Sequence, residues 1–551
     1  MLNSPVRGLL RPKTMQIGKG GFRRKKAIQP QSYTPSVVFG SDLITYYGNS
    51  VDELFADHRK AWEDSPELVT NGDFENADGW TLATEIQVVD GVLSFATSTT
   101  RAATTPSAQP LVAGRAYRVS LDVVRTSGSI EVFVGNTVSG AANSTGRHAF
   151  TIVTTAANQN IQVRSLGGGV FTIDKLSVKE IDPTKLRLYQ DSAGATPVTA
   201  VEQFVGLVLD QSQGLSFGDW ITGNGWYNAA ASFDTFSATA TGFVGTKTTA
   251  GGWDVGNSAV ATVGPILSGE VYEVEIEIGA GTTVSSAEVG FGESINSRSD
   301  AASISVKPGV HRRYIRLNGT RPSCELSVRT GVLGVIEVVS MRARKLLGNH
   351  LSQPTATARP RLIQRTDLPG SPFVLRFDGT DDALRTGDIN LTATTAISAI
   401  GTVQKNSDAA LGTFFEFGPN VLANNGSFAV LTPPGSAFTG VGFQYKGDGS
   451  LRSINNDTFP APLTAVLSLH ANIAGPRIEG FVNGVSAGSV ITSAGAGNMG
   501  SFPLNVGARN LTTARLNGDI FALPMIVRRL MTNDERAAAE KAFGKSIGVL
   551  Q

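Results

Sequence analysis

The sequence predicts a mostly-β fold divided into several domains, with an extended N-terminal arm and short helices. The first observation is a pattern of short alternating apolar and polar runs separated by turn residues, among them many of the 62 glycines. The second is the composition: 41% hydrophobic residues, 17% charged residues and a formal net charge of +1 are typical of a folded, near-neutral chain. The third is the length of 551 residues, because single cores seldom grow past about 250 to 300 residues.

Cysteine usage and hydropathy narrow the class of protein further. Cys324 is the only cysteine, so no intrachain disulfide can form, and we expect a small buried apolar role for it. Residues 1–30 hold no apolar segment of a secretion signal, and no run of about 18 apolar residues occurs in the chain. We therefore expect no membrane span and no export by the signal-peptide route.

Residues 1–65 are predicted to form an extended basic arm that ends in one helix. No acidic residue precedes Asp42, and Pro and Gly interrupt the basic run. The pattern favours docking into an acidic groove of another protein, while nucleic-acid binding and a solvated tail remain alternatives. Aromatic residues are sparse in the arm, so nucleic acid is the less favoured partner. The candidate anchoring residues are Arg7, Arg11, Lys13, Arg23, Arg24, Lys25 and Lys26.

The helix predicted at the end of this segment is amphipathic. Ser50 and Glu53 stand at the spacing of a capping box, which marks the first turn. The apolar face follows at helical spacing, and its members are Val51, Leu54, Phe55, His58 and Trp62. We expect this helix to separate the arm from the first globular domain.

Residues 66–182 are predicted to form the first β-sandwich. Its landmarks are "NGDFENADGW" (71–80), "LVAGRAYRVSLDVV" (111–124) and "FTIDKLSVKEI" (171–181). Asn71, Gly72 and Asp73 turn the chain into the first strand, and Trp80 closes this turn against the core. The three landmarks resemble those of the carbohydrate-binding-module jelly roll of the family 4/9 type, which implies a jelly-roll fold here.

Residues 215–347 contain a weaker copy of the same three landmarks in the same order. They are "GDWITGNGWYNAAASF" (218–233), "PILSGEVYEVEIEIGAG" (265–281) and "GVIEVVSMRARKL" (334–346). Internal similarity of this kind predicts a second jelly roll.

The second copy splits a further module, for which we expect residues 183–214 and 348–551 to fold together. A lead-in, "LRLYQDSAGATPVTAVEQFVGLVLDQSQG" (186–214), stops at the copy and resumes as "GNHLSQPTATARPRLIQR" (348–365), followed by "FVLRFDGTDDALRTG" (373–387). These segments resemble a module of bacteriophage virion proteins that runs into a laminin-G or concanavalin A-like sandwich. The second jelly roll is therefore expected to be inserted in a surface turn of this sandwich.

Two local signals close the C-terminal sandwich. "FVNGVSAG" (481–488) predicts a hairpin with Asn483 and Gly484 at its turn. A last helix is expected to begin at a capping box made by Thr532 and Glu535 and to stop at Gly544.

Catalytic motifs are missing from the sequence, so we expect no enzyme. It contains no metalloprotease, P-loop, dinucleotide-binding or nucleophile-elbow signature. The five histidines are scattered, and we expect each on the surface or in a turn. Glu180 and Asp182 begin like the paired carboxylates of a retaining glycosidase, but Pro183 ends that strand. Three more carboxylates share one strand face: Glu273, Glu275 and Glu277. Such alternation is also typical of a sheet face that is exposed to solvent.

No cofactor is required by the sequence, although the jelly-roll resemblance implies one optional structural ion. Asp73, Glu75 and Asp174 fall on the positions that hold calcium between the opening and closing strands of such domains, and hard oxygen ligands suit Ca²⁺. Turn-capping residues have the same appearance. Asp378, Asp381 and Asp382 also cluster, and we expect them to hold their turn.

Aromatic residues indicate where a sugar would bind, because sugar rings pack their C–H faces on Trp or Tyr. Trp80 and Trp226 take the position that is core in the resembled family. Less constrained are Trp220, Tyr227 and Trp253, which are our candidates for a carbohydrate platform in the second jelly roll.

The order of modules predicts a bacteriophage virion protein. We expect a tail, neck or head appendage that is anchored to other virion proteins by its N-terminal arm, binds host-surface glycans, and forms a homo-oligomer, with a trimer favoured. It would be made in the host cytoplasm and be displayed on the particle. One alternative is a purely structural decoration or connector protein of the virion. Another is a polysaccharide depolymerase, for which the long β-helix repeat is not seen in the sequence.

Overall fold

The computed structural model describes residues 33–112, 115–154, 159–222, 224–229, 233–248, 257–262, 270–292, 300–304, 306–317 and 325–549. Strands make up 47% of the chain and helices 9%, which confirms the predicted mostly-β fold. No helix in this part of the chain is both long and apolar enough to cross a membrane. The strands form three pairs of sheets, two of them jelly rolls and the third a larger sandwich.

The first described elements belong to the C-terminal sandwich. They are α1 (Pro35–Phe39), a 3-10 turn (Gly40–Asp42), β1 (Leu43–Thr45) and α2 (Val51–Glu63). Strand β1 pairs antiparallel with the strand Asn517–Val527.

Helix α2 begins after the predicted N-cap and carries the predicted apolar face, but the capping box is only half formed, since Glu53 Oε2 accepts from the Asn49 N–H. Its N-cap Ser50 accepts a hydrogen bond from the Glu53 backbone N–H, and Val51, Leu54 and Phe55 lie in the core of the C-terminal sandwich. The helix therefore belongs to that sandwich, whereas the sequence placed it between arm and first domain. A helix this short is marginal by itself in water. It is therefore stabilised mainly by burying its apolar face against a partner.

The first jelly roll consists of two five-stranded antiparallel sheets. Their orders are β2-β5-β10-β7-β8 and β3-β4-β11-β6-β9. The strands are β2 (Thr81–Leu82), β3 (Ile86–Val89), β4 (Val92–Thr97), β5 (Ala102–Thr104), β6 (Ala116–Arg125), β7 (Ile130–Val134), β8 (Thr137–Val138), β9 (Gly146–Val153), β10 (Ile161–Ser165) and β11 (Gly169–Glu180).

The predicted opening turn of this jelly roll has the expected geometry. Asn71 has a φ of 56°, in the left-handed region that Asn tolerates. Trp80 is buried against Phe74, and its Nε1 donates to the Asn71 carbonyl at 3.2 Å. The Gly72 carbonyl accepts from the Leu176 backbone N–H at 2.8 Å, so the opening turn is joined directly to the closing strand β11.

We predict that Gly72→Ala destabilises the first jelly roll by about 2–4 kcal/mol, as strain and overpacking do. A Cβ at residue 72 would stand 1.9 Å from the Leu176 carbonyl oxygen, which is backbone and cannot rotate away. Thermal unfolding followed by calorimetry would measure the loss. Gly331→Ala is the matched control, since a Cβ there meets nothing within 4 Å. Equal melting temperatures for the two variants would contradict the prediction.

Two strands of the lead-in and a 3-10 turn follow before the second jelly roll begins. They are the turn Pro183–Lys185, β12 (Leu188–Tyr189) and β13 (Leu207–Val208). The second jelly roll then contains β14 (Ile221–Thr222), β15 (Asn224–Ala229), β16 (Thr235–Ala238), β17 (Phe243–Lys247), β18 (Asn257–Thr262), β19 (Val271–Ile278), β20 (Ala287–Gly292), β21 (Asp300–Ile304), β22 (Gly309–Arg316), β23 (Glu325–Thr330) and β24 (Gly334–Leu346).

The two jelly rolls have the same topology. In the second, the sheet orders are β15-β18-β23-β20-β21 and β16-β17-β24-β19-β22, and β14 also pairs with β24. When β15–β24 are counted in chain order, each takes the sheet position of the strand with the same count among β2–β11 of the first jelly roll. Trp226 is buried in the core against Phe243, as Trp80 is in the first copy. Cys324 lies outside the described residues.

The C-terminal sandwich joins chain segments from both sides of the second jelly roll. Its remaining strands are β25 (Leu351–Ser352), β26 (Arg361–Gln364), β27 (Phe373–Asp378), β28 (Leu384–Asn390), β29 (Ala396–Lys405), β30 (Thr413–Phe417), β31 (Ser427–Leu431), β32 (Val441–Lys446), β33 (Leu451–Asn456), β34 (Leu463–Asn472), β35 (Arg477–Val482), β36 (Val485–Val490), β37 (Ser501–Val506) and β38 (Asn517–Val527). A 3-10 turn, Ala356–Ala358, follows β25.

The pairing of these strands shows how the split segments meet. One sheet runs β26-β27-β38-β29-β34-β35-β36 with β1 beside β38, and the other runs β12-β13-β25-β28-β37-β30-β31-β32-β33. Strand β13 of the lead-in pairs with β25, with Leu207 opposite Ser352. The second jelly roll is therefore inserted in the chain between β13 and β25, which are adjacent strands of one sheet.

The structure contains both local signals predicted at the C-terminal end. Asn483 and Gly484 both have positive φ, 50° and 79°, which confirms the predicted hairpin turn between β35 and β36. The last helix, α3 (Asn533–Gly544), begins with the predicted capping box of Thr532 and Glu535. The α-helix stops at Gly544, as predicted. A 3-10 turn (Lys545–Ile547) follows it, and the residue in the left-handed conformation is Gly548 with a φ of 69°.

A buried cluster joins the three sandwiches. It combines Trp62 of α2, Ile181 after β11, Leu207 of β13, and Tyr314 and Leu346 of the second jelly roll. The first jelly roll is thereby placed directly beside helix α2.

Candidate functional site

Trp220 and Tyr227, two of the three residues predicted to form a carbohydrate platform, lie at different sheets. Trp220 precedes β14, at the sheet that contains β24, and Tyr227 is on β15 of the opposite sheet. Tyr227 is 45% exposed. Trp253 lies outside the described residues.

Trp220 packs against two arginines of β24. The Cζ atoms of Arg342 and Arg344 lie 4.0 and 4.2 Å from the Trp220 ring centroid. Such cation–π contacts contribute roughly 0.5–2 kcal/mol each. The ring is half-buried and part of its surface is already used for these contacts.

Two of the three glutamates in the row on β19, Glu273 and Glu275, are held in ion pairs. Glu275 contacts Arg312 and Arg342 at 2.6 Å each, and Glu273 contacts Arg344 at 2.6 Å. Burial alone would raise the pKa of Glu275, but the hydrogen bonds from both arginines outweigh it and lower the pKa. A carboxylate fixed in this way is poorly suited to act as a general acid. Glu277 is bonded by the Ser340 hydroxyl at 3.3 Å.

The other carboxylate pair considered in the sequence has structural partners. Glu180 forms an ion pair with Arg115 at 3.6 Å. Asp182 caps the 3-10 turn, where its Oδ1 accepts from the Thr184 backbone N–H at 2.9 Å.

Asp73, Glu75 and Asp174 are not brought together as a calcium site in the described structure. Asp73 and Glu75 are exposed, and Asp174 forms an ion pair with Lys175 at 3.8 Å. Among the described residues, the group of acidic side chains whose oxygens converge within 4.8 Å is Asp378, Asp381 and Asp382.

That second acidic group holds its own turn, as the sequence suggested. Asp378 Oδ1 accepts from the Thr380 backbone N–H at 2.7 Å, and the Asp378 N–H donates to Asp382 Oδ2 at 3.0 Å. Burial raises the pKa of Asp382 to about 7. The oxygens are of the type that Ca²⁺ binds, but the hydrogen bonds already explain the cluster.

The histidines are mostly buried, which corrects the expectation of surface or turn positions. His58, His311, His350 and His470 are each at most 5% exposed. For His58, His311 and His350, burial is possible because the neutral imidazole finds backbone partners. For example, His58 Nδ1 accepts from the Arg187 N–H at 2.8 Å while Nε2 lies 2.6 Å from the Val198 carbonyl.

The candidate anchoring residues of the N-terminal arm, Arg7, Arg11, Lys13, Arg23, Arg24, Lys25 and Lys26, lie outside the described residues.

A groove that the sequence did not predict lies between α2 and the first jelly roll. We call it the basic groove, with a volume of about 510 Å³. The residues that line it are Phe55, Arg59, Trp62, Glu63, Arg118, Ser120, Arg147, Ala149, Ser177, Lys179, Thr199, Ala200, Val201, Gln364 and Phe373.

One wall of the basic groove is the outward face of the sheet that contains β6. Along β6, Tyr117, Val119 and Leu121 are buried in the core, so Arg118 and Ser120 point to the other face. Arg118 is opposite Lys179 of β11 in the sheet register. Strand alternation therefore collects polar and cationic side chains on this wall.

The other wall is helix α2. Arg59 lies over the rings of Phe55 and Phe373, with its Cζ 5.5 and 5.8 Å from their centroids. Trp62 faces Arg118 across the groove, with the Arg118 Cζ 5.7 Å from the centroid of the Trp62 ring. The helix thus contributes aromatic surface that is covered by guanidinium groups.

Arg118 is the most constrained cation of the groove. Its Nη2 donates to the Thr199 carbonyl at 2.8 Å, whereas its Nη1 is buried and has no hydrogen-bond acceptor among the described residues. Burial and the neighbouring Arg147 lower its pKa to about 10. At neutral pH the guanidinium remains charged, so one of its buried N–H groups is left uncompensated.

Part of this site was visible in the sequence. The alternation of "AYRVSLDVV" predicts that Arg118 and Ser120 share the outward face, and helical spacing predicts the face that carries Trp62. The approach of helix and sheet was not visible, because residues 62 and 118 meet only through the packing of separate domains.

Comparisons with known proteins identify no family. No protein-family model and no curated protein matches the chain. A native heptameric SAP-like pentraxin from Limulus polyphemus is 12% identical over 30% of this chain and 80% of its own, with a TM-score of 0.24. The CBM40 of a Ruminococcus gnavus IT-sialidase is 17% identical over 26% of this chain and 80% of its own, with a TM-score of 0.21.

A third solved structure, the HCR/D W1238A mutant, is 11% identical over 33% of this chain and 46% of its own, with a TM-score of 0.24. These neighbours include a carbohydrate-binding module and a pentraxin, and the similarity is weak. At such scores it carries no argument about function.

Proposed function

We propose that this protein is a bacteriophage virion appendage that binds carbohydrate on the host surface. The observation that carries the binding role is the basic groove, where cations, hydroxyl groups and an amide side chain line one cleft of about 510 Å³. Ligand sites are concave and combine apolar walls with a few convergent polar groups. Its place between a helix and a sheet keeps both walls on rigid elements.

The virion role rests on the resemblance of the lead-in and of residues 373–387 to a phage module. The split of that module is compatible with one folded domain, since β13 and β25 pair directly. The appendage would be anchored by residues 1–32 and carry its sandwiches outward, as a trimer or another homo-oligomer in which repeated weak contacts add avidity.

A purely structural connector of the virion is the alternative. It predicts virion association without glycan binding. The depolymerase alternative has weak support, because Glu273 and Glu275 are paired with arginines.

The test compares full-length protein with a variant lacking residues 1–32, incubated with phage particles and imaged by electron cryo-microscopy. This deletion leaves β1 and α2 intact, whereas a deletion to residue 65 would remove Leu54 and Phe55 from the C-terminal core. We expect the full-length protein to decorate particles and the shortened one to lose at least about tenfold in occupancy, while both bind host cells.

Calorimetry of both proteins provides the folding control. Absence of the full-length protein from particles would contradict the virion role. Particle binding without any binding to host cells or their extracted polysaccharide would favour the connector.

A further inference from the structure

We propose that the basic groove takes an anionic saccharide, one whose rings carry carboxylate or sulfate groups. This inference deepens the proposed function by naming its ligand class. It starts from charge, because Arg59, Arg118, Arg147 and Lys179 line the groove against one acidic residue, Glu63.

The local ion pairs leave much of this positive charge uncompensated. Glu63 is paired with Arg59 at 3.5 Å, and both side chains are more than one-third exposed, so this pair is weak. Arg147 contacts Asp122 at 3.7 Å with its side chain 63% exposed. Lys179 Nζ donates to the Glu63 backbone carbonyl, which carries no full charge. A bound anion would therefore meet cations that its own charge can complement.

Arg118 indicates where the charge of the ligand is needed most. Its guanidinium is tied to the Thr199 carbonyl on one side, and Nη1 finds no acceptor among the described groups. The nearby Arg147 repels it, which contributes to the lowered pKa of Arg118. A carboxylate or sulfate in the groove would offset this repulsion and offer oxygens to both guanidiniums.

The aromatic groups favour an anionic saccharide over a neutral one. The rings of Phe55 and Phe373 face Arg59, and Trp62 faces Arg118 and is only 8% exposed. A neutral sugar needs an open ring face to pack on. What the groove offers at its surface is charge, together with the hydroxyl group of Ser120. The hydroxyl group of Ser177 already donates to Glu67 Oε2 at 2.6 Å.

The same features argue against single-stranded nucleic acid, which is an anion too. Its binding relies on successive bases stacked on exposed aromatic side chains. The aromatic rings in this groove are covered. Hydroxyl groups beside cations match a saccharide, whose ring hydroxyls both donate and accept hydrogen bonds.

The test is isothermal titration calorimetry on the full-length protein with three anionic probes: tetragalacturonate, an N-acetylneuraminic acid tetramer and a chondroitin sulfate tetrasaccharide. Each is paired with a neutral counterpart, the fully methyl-esterified form of the first two and the unsulfated, esterified form of the third. We expect at least one anionic probe to bind about tenfold or more tightly than its partner, and the affinity to fall with added salt.

Two variants locate the site. Arg118→Met keeps an apolar stem against Trp62 but removes the charge, and Arg147→Met removes the charge of a side chain that is 63% exposed. Each is expected to weaken binding about tenfold, the usual effect of losing one charge-assisted hydrogen bond. Arg164→Met is the matched control, because Arg164 also lies over a ring, Phe133, but on the other sheet of the same jelly roll. It should stay within about twofold.

Several results would overturn the inference: no binding of any anionic probe at millimolar concentration, equal binding of the neutral counterparts, unchanged affinity in both groove variants, or a DNA 12-mer that binds more tightly than every saccharide through Arg118. Host-cell binding that persists unchanged in both groove variants would leave the proposed function standing and refute only the anionic site. Loss of particle association with intact saccharide binding would do the reverse.

Discussion

Replacing Asp210 by alanine is expected to lower the free energy of unfolding of the C-terminal sandwich by about 3–6 kcal/mol, since each unsatisfied buried donor costs roughly 1–3 kcal/mol. Asp210 is fully buried. Its Oδ1 accepts from the Tyr46 backbone N–H at 2.8 Å and from the Ser212 N–H at 3.0 Å. Its Oδ2 accepts from the Asn349 N–H at 2.7 Å and from the Ser212 hydroxyl at 2.7 Å.

These bonds join three segments that are remote in sequence. Tyr46 follows β1, Asp210 lies in the lead-in two residues after β13, and Asn349 stands where the chain returns from the second jelly roll. The Asp210 N–H also donates to His350 Nδ1 at 2.9 Å. The carboxylate therefore holds the edges of the insertion to the N-terminal segment, which makes its loss more costly than that of an ordinary buried hydrogen bond.

Differential scanning calorimetry would measure this loss, and hydrogen exchange on peptides around residues 46 and 349 would place it. Asp210→Asn should also destabilise, because an amide nitrogen cannot accept from these donors. Asp388→Ala is the control at an exposed position of β28. A melting temperature for Asp210→Ala equal to that of the control would refute the role of the carboxylate.

Acidification from pH 7 to pH 5 is expected to destabilise the protein through its buried histidines. Burial lowers the pKa of His58 to about 3 and that of His350 and His470 to about 4. An unfolded histidine has a pKa of about 6.5, so below that pH the unfolded chain binds protons that the native state does not. Each histidine then costs about 1.4 kcal/mol per pH unit, down to its folded pKa.

Acidification has the opposite effect on the native state through a buried acid whose pKa is raised, so the measurement has to compare variants. Burial raises the pKa of Asp382 to about 7, so its protonation on acidification favours the native state. Differences between variants remove such shared contributions. His470 is the best probe, since its Nε2 has no hydrogen-bond partner among the described residues and its ring packs edge-on against Phe481.

We expect His470→Phe to lose about 2 kcal/mol less stability than the unaltered protein between pH 7 and pH 5. The nearby Arg536 and Arg477 add to the effect of burial in lowering the pKa of His470. Hydrogen exchange of peptides from β34 at the two pH values would give the free energies. His148→Phe, at a partly exposed position of β9, should follow the unaltered protein. Parallel pH curves for His470→Phe and the unaltered protein would contradict the expected shift.

The structure reproduces much of what local sequence patterns predicted. The two tryptophans in the opening motifs are core residues, the Asn483-Gly484 turn has positive φ at both positions, and the capping box of α3 is formed. Each of these depends on neighbours within a few residues or on one face of one strand. Such local patterns predict the structure correctly because they depend on the geometry of the nearby backbone.

The errors concern burial that depends on remote partners. His58 and His350 are polar in the sequence, yet backbone groups more than 100 residues away satisfy them. The glutamates of β19 have the spacing of a solvated face, but arginines of β22 and β24 pair with Glu273 and Glu275. These partners cannot be predicted from local sequence spacing, because they come from strands that are distant in the chain and adjacent only in the folded sheet.

The sequence alone determined the strand-rich fold, the repeated jelly-roll landmarks, and which side of β6 carries Arg118. These follow from the alternation of side chains along a strand and from turn chemistry, which act over a few residues. Only the tertiary structure decided that α2 packs into the C-terminal sandwich and faces the first jelly roll. The basic groove exists because apolar burial between separate segments brings Trp62 and Arg118 together, and that burial has no local signature.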